Sequence, residues 1–203
     1  ADLALMAGQG LTEIAVRKPL RVAVISTGDE LAQPGDEAYQ GQIFDSNRTM
    51  LIGLARGLGA TVTDLGIIRD NADVISETLQ HAARTHDAIL TSGGMSTGEE
   101  DHLTASLRRA GSVHFWRLAI KPGRPVGLGQ IGDCAVVGLP GNPAAAAVCF
   151  AVLGRPLLAR LAGIVLPPLP RFQVESAFGY RKKKQRREYV RVRLEDRAQE
   201  DPL

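Results

Sequence analysis

Between residues 19 and 163 short apolar runs alternate with amphipathic stretches, and the runs repeatedly break off into polar, glycine-rich text. This pattern constrains the chain more than any other feature. Arg21-Val22-Ala23-Val24-Ile25-Ser26 has no polar face, as expected of a strand buried on both sides. A helix follows, with Ser46 or Asn47 able to cap it, Met50, Leu51, Leu54 and Leu58 on one face, and Gly59 as its stop. Residues 60–68 read as a strand, 72–86 as a helix with Val74, Ile75, Leu79 and Ala82 on one side, and 87–92 as the next strand. A helix over 101–110 leads to strand-like text at 112–120, 125–131 and 134–139. Asn142-Pro143 is a strong helix start, and the Ala-rich helix it opens runs to about Gly163, with Pro156 expected to kink or split it. Repeated strand–helix–strand units predict an α/β fold, a three-layer sandwich around a mainly parallel sheet with right-handed crossovers.

The flanks read differently. Residues 1–18 form a short amphipathic lead-in (Leu3, Leu5, Met6, Leu11, Ile14) that stops at Pro19, and the chain begins Ala1-Asp2 as if entered midway. Leu166-Pro167-Pro168-Leu169-Pro170 is a stiff break of the sort that separates domains. Beyond it, residues 171–178 and 187–195 look like two strands of a small β unit, so 164–203 is expected to begin a second domain.

Composition narrows the function classes. Hydrophobic residues are 44% and charged residues 23% of 203, which excludes disordered and fibrous chains. Lys plus Arg number 24 against 22 Asp plus Glu, a net +2, whereas a nucleic-acid binder shows a larger, clustered excess. The basic run over residues 181–187 falls at the expected hairpin turn without aromatic platforms, and reads as a solvated loop rather than an RNA site. No run of about 20 unbroken apolar residues is present, so no membrane span is expected. Cys134 and Cys149 sit in apolar strings without a CxxC, which reads as reduced, buried thiols of a cytoplasmic protein. His81 and His86, five apart, do not share a helix face, and no histidine metal site is expected.

In open α/β sheets ligands bind at the carboxyl ends of the strands, where this chain places its polar motifs. Ser92, Gly93 and Gly94 let a backbone approach a ligand, and their N–H groups can form an anion nest. The helix start at Asn142 offers a second anion site, and Lys121 and Arg124, in a proline-framed loop, supply fixed positive charge. Asp29, Glu30, Asp70 and Asp101 are oxygen donors suited to Mg²⁺, which is commonly held by one or two carboxylates plus substrate phosphate. Acids, cations and glycine loops on one rim fit a pyrophosphorylated substrate with a bridging metal. Asp45 or Ser46 is also an ordinary helix cap, and Trp116 beside Phe115 is most simply core.

STGDEL at 26–31, DSNR at 45–48, GIIRD at 66–70, SGGMSTGEED at 92–101, FWRLAIKPGRP at 115–125 and GLPGNP at 138–143 come in a characteristic order. With them the chain resembles the molybdopterin molybdenumtransferase family, the MoeA-type proteins and the gephyrin E domain. The resemblance implies a molybdopterin-binding α/β domain over 19–163, preceded at 1–18 by a linker from absent N-terminal domains and followed at 164–203 by part of a C-terminal β domain. It implies a transferase of molybdenum cofactor biosynthesis, which inserts molybdenum from molybdate into adenylylated molybdopterin with Mg²⁺-dependent release of AMP. It also implies a homodimer with a molybdopterin adenylyltransferase as pathway partner, and no nucleic acid or membrane.

On the family pattern Glu30, Asp70 and Asp101 match the functional and metal-holding acids, and Arg117 and Lys121 the paired basic residues. Thr27, Asp29, Ser92, Gly93, Gly94, Ser96, Arg124, Pro140, Gly141, Asn142 and Pro143 are the matching substrate-binding candidates. Arg117 and Arg124 stand where the pattern often has Lys, which keeps charge but adds bidentate oxyanion geometry. The rival readings are a molybdopterin adenylyltransferase, which shares the SGG-type loop, and a non-catalytic dimeric scaffold module. KPGRP with GLPGNP disfavours the first, and the retained acids with Lys121 disfavour the second.

Overall fold

The computed structural model describes residues 2–93, 102–168, 170–182 and 185–195. Its elements are α1 (Asp2–Gly8), β1 (Arg21–Thr27), β2 (Leu31–Ala32), β3 (Ile43–Phe44), α2 (Ser46–Arg56), β4 (Thr61–Ile68), α3 (Ala72–Thr85) and β5 (Ala88–Ser92). There follow α4 (His102–Ala110), β6 (Ser112–Arg117), β7 (Ile120–Lys121), β8 (Pro125–Ile131), β9 (Cys134–Leu139), α5 (Pro143–Cys149), a π-helical turn (Phe150–Gly154), α6 (Arg155–Ala162) and β10 (Arg187–Glu188).

Six strands form one sheet in the order β4-β1-β5-β9-β8-β6. The first four are parallel, while β8 runs antiparallel to both β9 and β6. Alternate residues of β1 feed opposite layers. Val22 and Val24 pack with Leu90 and Val137 under α2, α5 and α6, through Leu51, Ala55, Ala146, Cys149 and Leu158. Ala23 and Ile25 pack with Ile89 and Val136 under α3 and α4, through Ile75, Leu79, Leu103 and Leu107. The fold is the expected α/β sandwich, with a mixed, mostly parallel sheet between two helical layers.

Several local expectations are corrected. Of the cap candidates it is Asp45 that caps α2, its carboxylate accepting from the Arg48 N–H, and not Ser46 or Asn47; Leu54 turns to solvent while Leu51 and Ala55 are buried. Val74 is likewise exposed on α3, because Ile75, Leu79 and Ala82 already fill the face against the sheet. Strand text at 112–120 breaks after Arg117, and Ile120–Lys121 forms a separate short strand. Residues 171–178 form no strand, and β10 pairs in parallel with β7 rather than with a partner in the tail. The hairpin expected there is absent among the described residues, and Phe172, Val174, Val190 and Val192 stay exposed. Leu3 and Leu5 of α1 are exposed as well, so the lead-in buries nothing.

Asn142 caps α5 as expected, its Oδ1 accepting from the Ala145 N–H with Pro143 in the first turn. Pro156 has no N–H for the Val152 carbonyl, and the helix widens to a π turn immediately before it. Taken as one stretch, Pro143–Ala162 is long and apolar enough to cross a membrane by length and composition. Here Ala146, Cys149, Phe150 and Leu158 pack into the sheet core, which accounts for that apolarity. Both cysteines are free and buried, and burial pushes each thiol up to about 11, so neither carries thiolate at neutral pH.

Two carboxylates brace the sheet. Asp87 accepts from the Arg21 N–H at 2.8 Å and from the Arg21 guanidinium at 2.7 Å, and these bonds outweigh partial burial to hold it below the ordinary carboxylate range. Burial pushes Asp64 up, but the Arg48 guanidinium and the Gly66 N–H overcome it and leave this group depressed too. A depressed carboxylate contributes stability above its unfolded value and loses it as pH falls through the folded one. The melting temperature should therefore fall as pH drops below about 4. Asp87→Asn should melt lower at neutral pH and show a shallower acid decline; an unchanged slope would contradict the assignment.

Candidate functional site

Register brings the motif-bearing ends into one row. Thr27 pairs with Ile68, Ser26 with Ser92, and Ser92 with Leu139, so four parallel strands finish level. Because β8 is antiparallel, its first residue, Pro125, lies at the same edge, opposite Arg117 of β6. The helices after neighbouring parallel strands leave for opposite layers: α3 after β4, α2 after β1, α4 after β5 and α5 after β9. Diverging connections open a crevice along this edge.

At its middle the backbone is closely packed. Gly93 has φ +85°, and a Cβ there would lie 2.4 Å from the Thr27 carbonyl oxygen. Its N–H donates to the Leu139 carbonyl at 3.3 Å. A Cβ on Gly141 would meet the Gly93 Cα at 3.9 Å, so the loops after β5 and β9 run side by side. Asn47 lies beneath them, its Nδ2 donating to Ser92 Oγ at 2.8 Å and to the Gly141 carbonyl at 2.6 Å. The hydroxyls of Ser26, Thr27 and Thr91 and the Asn47 Oδ1 are buried without a hydrogen-bond partner among the described residues.

Acids occupy one end of the row. Asp29 and Glu30 follow β1, Asp70 follows β4, and all three are exposed. Asp29 Oδ1 accepts from the Asp70 N–H at 3.1 Å, tying the two strand ends together. The Glu30 carboxylate folds over Gly28, where a Cβ would lie 2.5 Å from Oε2. An open pocket of about 630 Å³ adjoins this end, lined by Gly28, Asp29, Gln33, Tyr39, Gln42 and Arg69 among others.

Cations occupy the other end. Lys121 and Arg124 are exposed, in a loop seated on α5: a Cβ on Gly123 would lie 2.4 Å from Cys149 Sγ. β10 folds back alongside, with the Tyr189 N–H donating to the Lys121 carbonyl at 2.7 Å. The Glu188 carboxylate, 3% exposed, accepts from the Tyr180 hydroxyl and lies 3.9 Å from Lys121 Nζ. β1 and β8 are three strand spacings apart, about 14 Å, so the backbones that carry the acids and the cations stand at separate ends of the row.

Other expected site residues have local structural tasks. The Asn142 side chain is the α5 cap, the Gly141 carbonyl serves Asn47, Pro143 opens α5 and Pro140 is buried. Arg48 of the DSNR motif is 4% exposed and locked between Asp45, Asp64 and Gln33, so it is a structural cation. Gly94, Ser96 and Asp101 lie outside the described residues, as does the Arg117 side chain. Sequence reasoning missed Asn47 as more than a cap candidate and missed Glu188 entirely. The former could have been sought in the buried position an amide takes at a helix start, while the latter left no local signal.

Among the described residues no three His, Cys, Asp or Glu side chains gather to cage a metal. Mg²⁺ takes one or two carboxylates, several waters and substrate phosphate, and the exposed, hard oxygens of Asp29, Glu30 and Asp70 at adjoining strand ends fit that habit.

Residues 23–160 match the family model described as probable molybdopterin binding domain. The chain is 42% identical over 162 residues to a molybdopterin molybdenumtransferase of Haemophilus influenzae, covering 80% of this chain and 40% of the relative. It is 36% identical to molybdopterin molybdenumtransferase 2 of Mycobacterium tuberculosis, covering 98% of this chain and 50% of that one. Among solved structures it is similar to a molybdopterin biosynthesis MoeA protein of Pyrococcus horikoshii, at 34% identity and a TM-score of 0.70, over 79% of this chain and 40% of the other. The chain thus spans half or less of the length of these relatives.

Gly93→Ala is expected to destabilise the protein by roughly 1–3 kcal/mol, through its positive φ and the clash with the Thr27 carbonyl. A urea midpoint equal to that of the wild type would contradict the close approach.

Proposed function

The chain belongs to the probable molybdopterin binding domain family, and on that premise we propose that it forms the α/β part of a molybdopterin molybdenumtransferase. In this reading molybdenum passes from molybdate to the dithiolene of adenylylated molybdopterin, and AMP is released. The observation that carries it is the separation of acids and cations by about 14 Å along one strand-end row. A dinucleotide-sized substrate is long enough to touch both ends, and a lone phosphate is not.

Each part of the row has a task under this proposal. Gly93 and Gly141 let the loops after β5 and β9 pack side by side at the strand ends, where a Cβ on Gly93 would strike the Thr27 carbonyl. Glu30 and Asp70, with Asp29 bracing the Asp70 backbone, would hold Mg²⁺ against the pyrophosphate. Mg²⁺ bound there would offset phosphate charge as AMP leaves. Lys121 and Arg124, exposed and preorganised by a loop packed on α5, hold the molybdate oxyanion. The β10 segment pins the Lys121 backbone, so the cation is placed without being covered: its side chain remains 51% exposed. Asp101 and Arg117 join the acid and cation sets on the strength of the resemblance. A cytoplasmic homodimer belongs to the same proposal, supplied by an adenylyltransferase because the substrate arrives adenylylated.

Supplying adenylylated molybdopterin, molybdate and Mg²⁺ to the full-length protein should yield AMP and molybdenum cofactor. Failure to release either would reject the reading. Glu30→Ala and Lys121→Ala should each abolish insertion; the first should shift stability by no more than about 0.5 kcal/mol because its side chain is exposed, the second by more because it leaves the buried Glu188 carboxylate without this cation. Active double variants would remove these residues from the mechanism.

A further inference from the structure

Asn47 sits at the second position of α2, 7% exposed, on a helix fixed by the Asp45 cap and the buried Arg48. A primary amide has two N–H donors, and both are spent here: one on Ser92 Oγ, one on the Gly141 carbonyl. The orientation of the amide is fixed by its surroundings. Flipped, its oxygen would face the Gly141 carbonyl oxygen, acceptor against acceptor. No other side chain of this length does the same. An ionised Asp offers no donor, Ser reaches at most one partner, and Gln carries its amide one methylene further from the helix.

The two groups held are significant for where they lie. Ser92 immediately precedes Gly93, and Gly141 immediately precedes Asn142. These residues belong to the two loops that run side by side, where a Cβ on Gly141 would lie 3.9 Å from the Gly93 Cα. The Gly93 N–H to Leu139 carbonyl bond, long at 3.3 Å, is a weaker tie between the same loops. The Asn47 Oδ1 is buried without a partner among the described residues, as is the hydroxyl of Ser26, the cross-strand partner of Ser92.

We propose that Asn47 is a positioning residue for the ligand-binding edge, its amide setting the spacing between the loops after β5 and β9. The ligand class, a nucleotide pyrophosphate, rests on the function proposed above; the loop spacing does not. Asn47 touches neither metal nor reacting atoms and acts through Ser92 and Gly141. Its loss should loosen both loops at once, and ligand affinity should fall although every contacting residue is still present.

The test uses the full-length protein with Asn47→Ala and Asn47→Ser, and Leu54→Ala as an exposed control on the same helix. Amide hydrogen exchange at 92–93 and 141–142 and calorimetric affinity for adenylylated molybdopterin with Mg²⁺ are measured on each. We expect faster exchange at both loops in Asn47→Ala and affinity lower by about tenfold, the scale of one buried hydrogen bond lost. Asn47→Ser should be intermediate, and Leu54→Ala should match the wild type in both. Should one variant not fold, the other decides by the same readouts. If exchange at the two loops and this affinity stay at wild-type values while only the melting temperature falls, Asn47 is a structural amide and the proposal is overturned. If the wild type does not bind adenylylated molybdopterin, the function proposed above fails, and the exchange data alone decide the role of Asn47.

Discussion

Everything in this molecule follows from the burial of β1 and β5 on both faces. Val22, Val24, Ile25, Ile89 and Leu90 are fully excluded from water, so neither face of the central ladder can be left to solvent. A parallel ladder needs crossover connections, and these crossovers are the helices that cover the faces. The consequence for chemistry is geometric. Polar residues are barred from the strands themselves and must gather where the strands stop, and the in-register pairing makes them stop together. Arg48 shows the same constraint at smaller scale: a cation that enters the interior is accepted because two carboxylates and an amide receive it.

The resulting edge is graded in charge and rigidity. Its acid end is open, carried by exposed loop carboxylates beside a broad pocket. Its middle is dense, two glycine loops running side by side over buried hydroxyls and one amide. Its basic end is clamped from outside by a strand returning from beyond the helical layer. Such an arrangement favours a long anionic ligand over a compact one, because binding at each end adds little unless the middle lets the ligand lie flat.

Much of this was legible in the sequence. Buried strands read as β-branched runs, Asn142-Pro143 marks its helix start, and the polar motifs fall at the strand ends. What was not legible depends on partners distant in the chain. Leu54 and Val74 satisfy a helical period, yet the face they share with Leu51 or Ile75 is wider than the sheet contact, and the sheet takes only part of it. Residues 171–178 alternate like a strand but find no ladder, while β10 finds one in β7, more than sixty residues upstream. Asn47 reads as a cap because local text cannot show that Ser92 and Gly141 will lie above it. Glu188 is hidden for the same reason.

The central claim is that one strand-end edge receives one extended ligand, acids at one end and Lys121 at the other. A crystal structure of the full-length protein with adenylylated molybdopterin and Mg²⁺ tests it most directly. The account predicts the ligand lying along the row, its pyrophosphate near Glu30 and Asp70, its chain crossing Gly93 and Gly141, and its far end in reach of Lys121. A ligand bound at the opposite edge of the sheet, or confined to one end of the row, would contradict it.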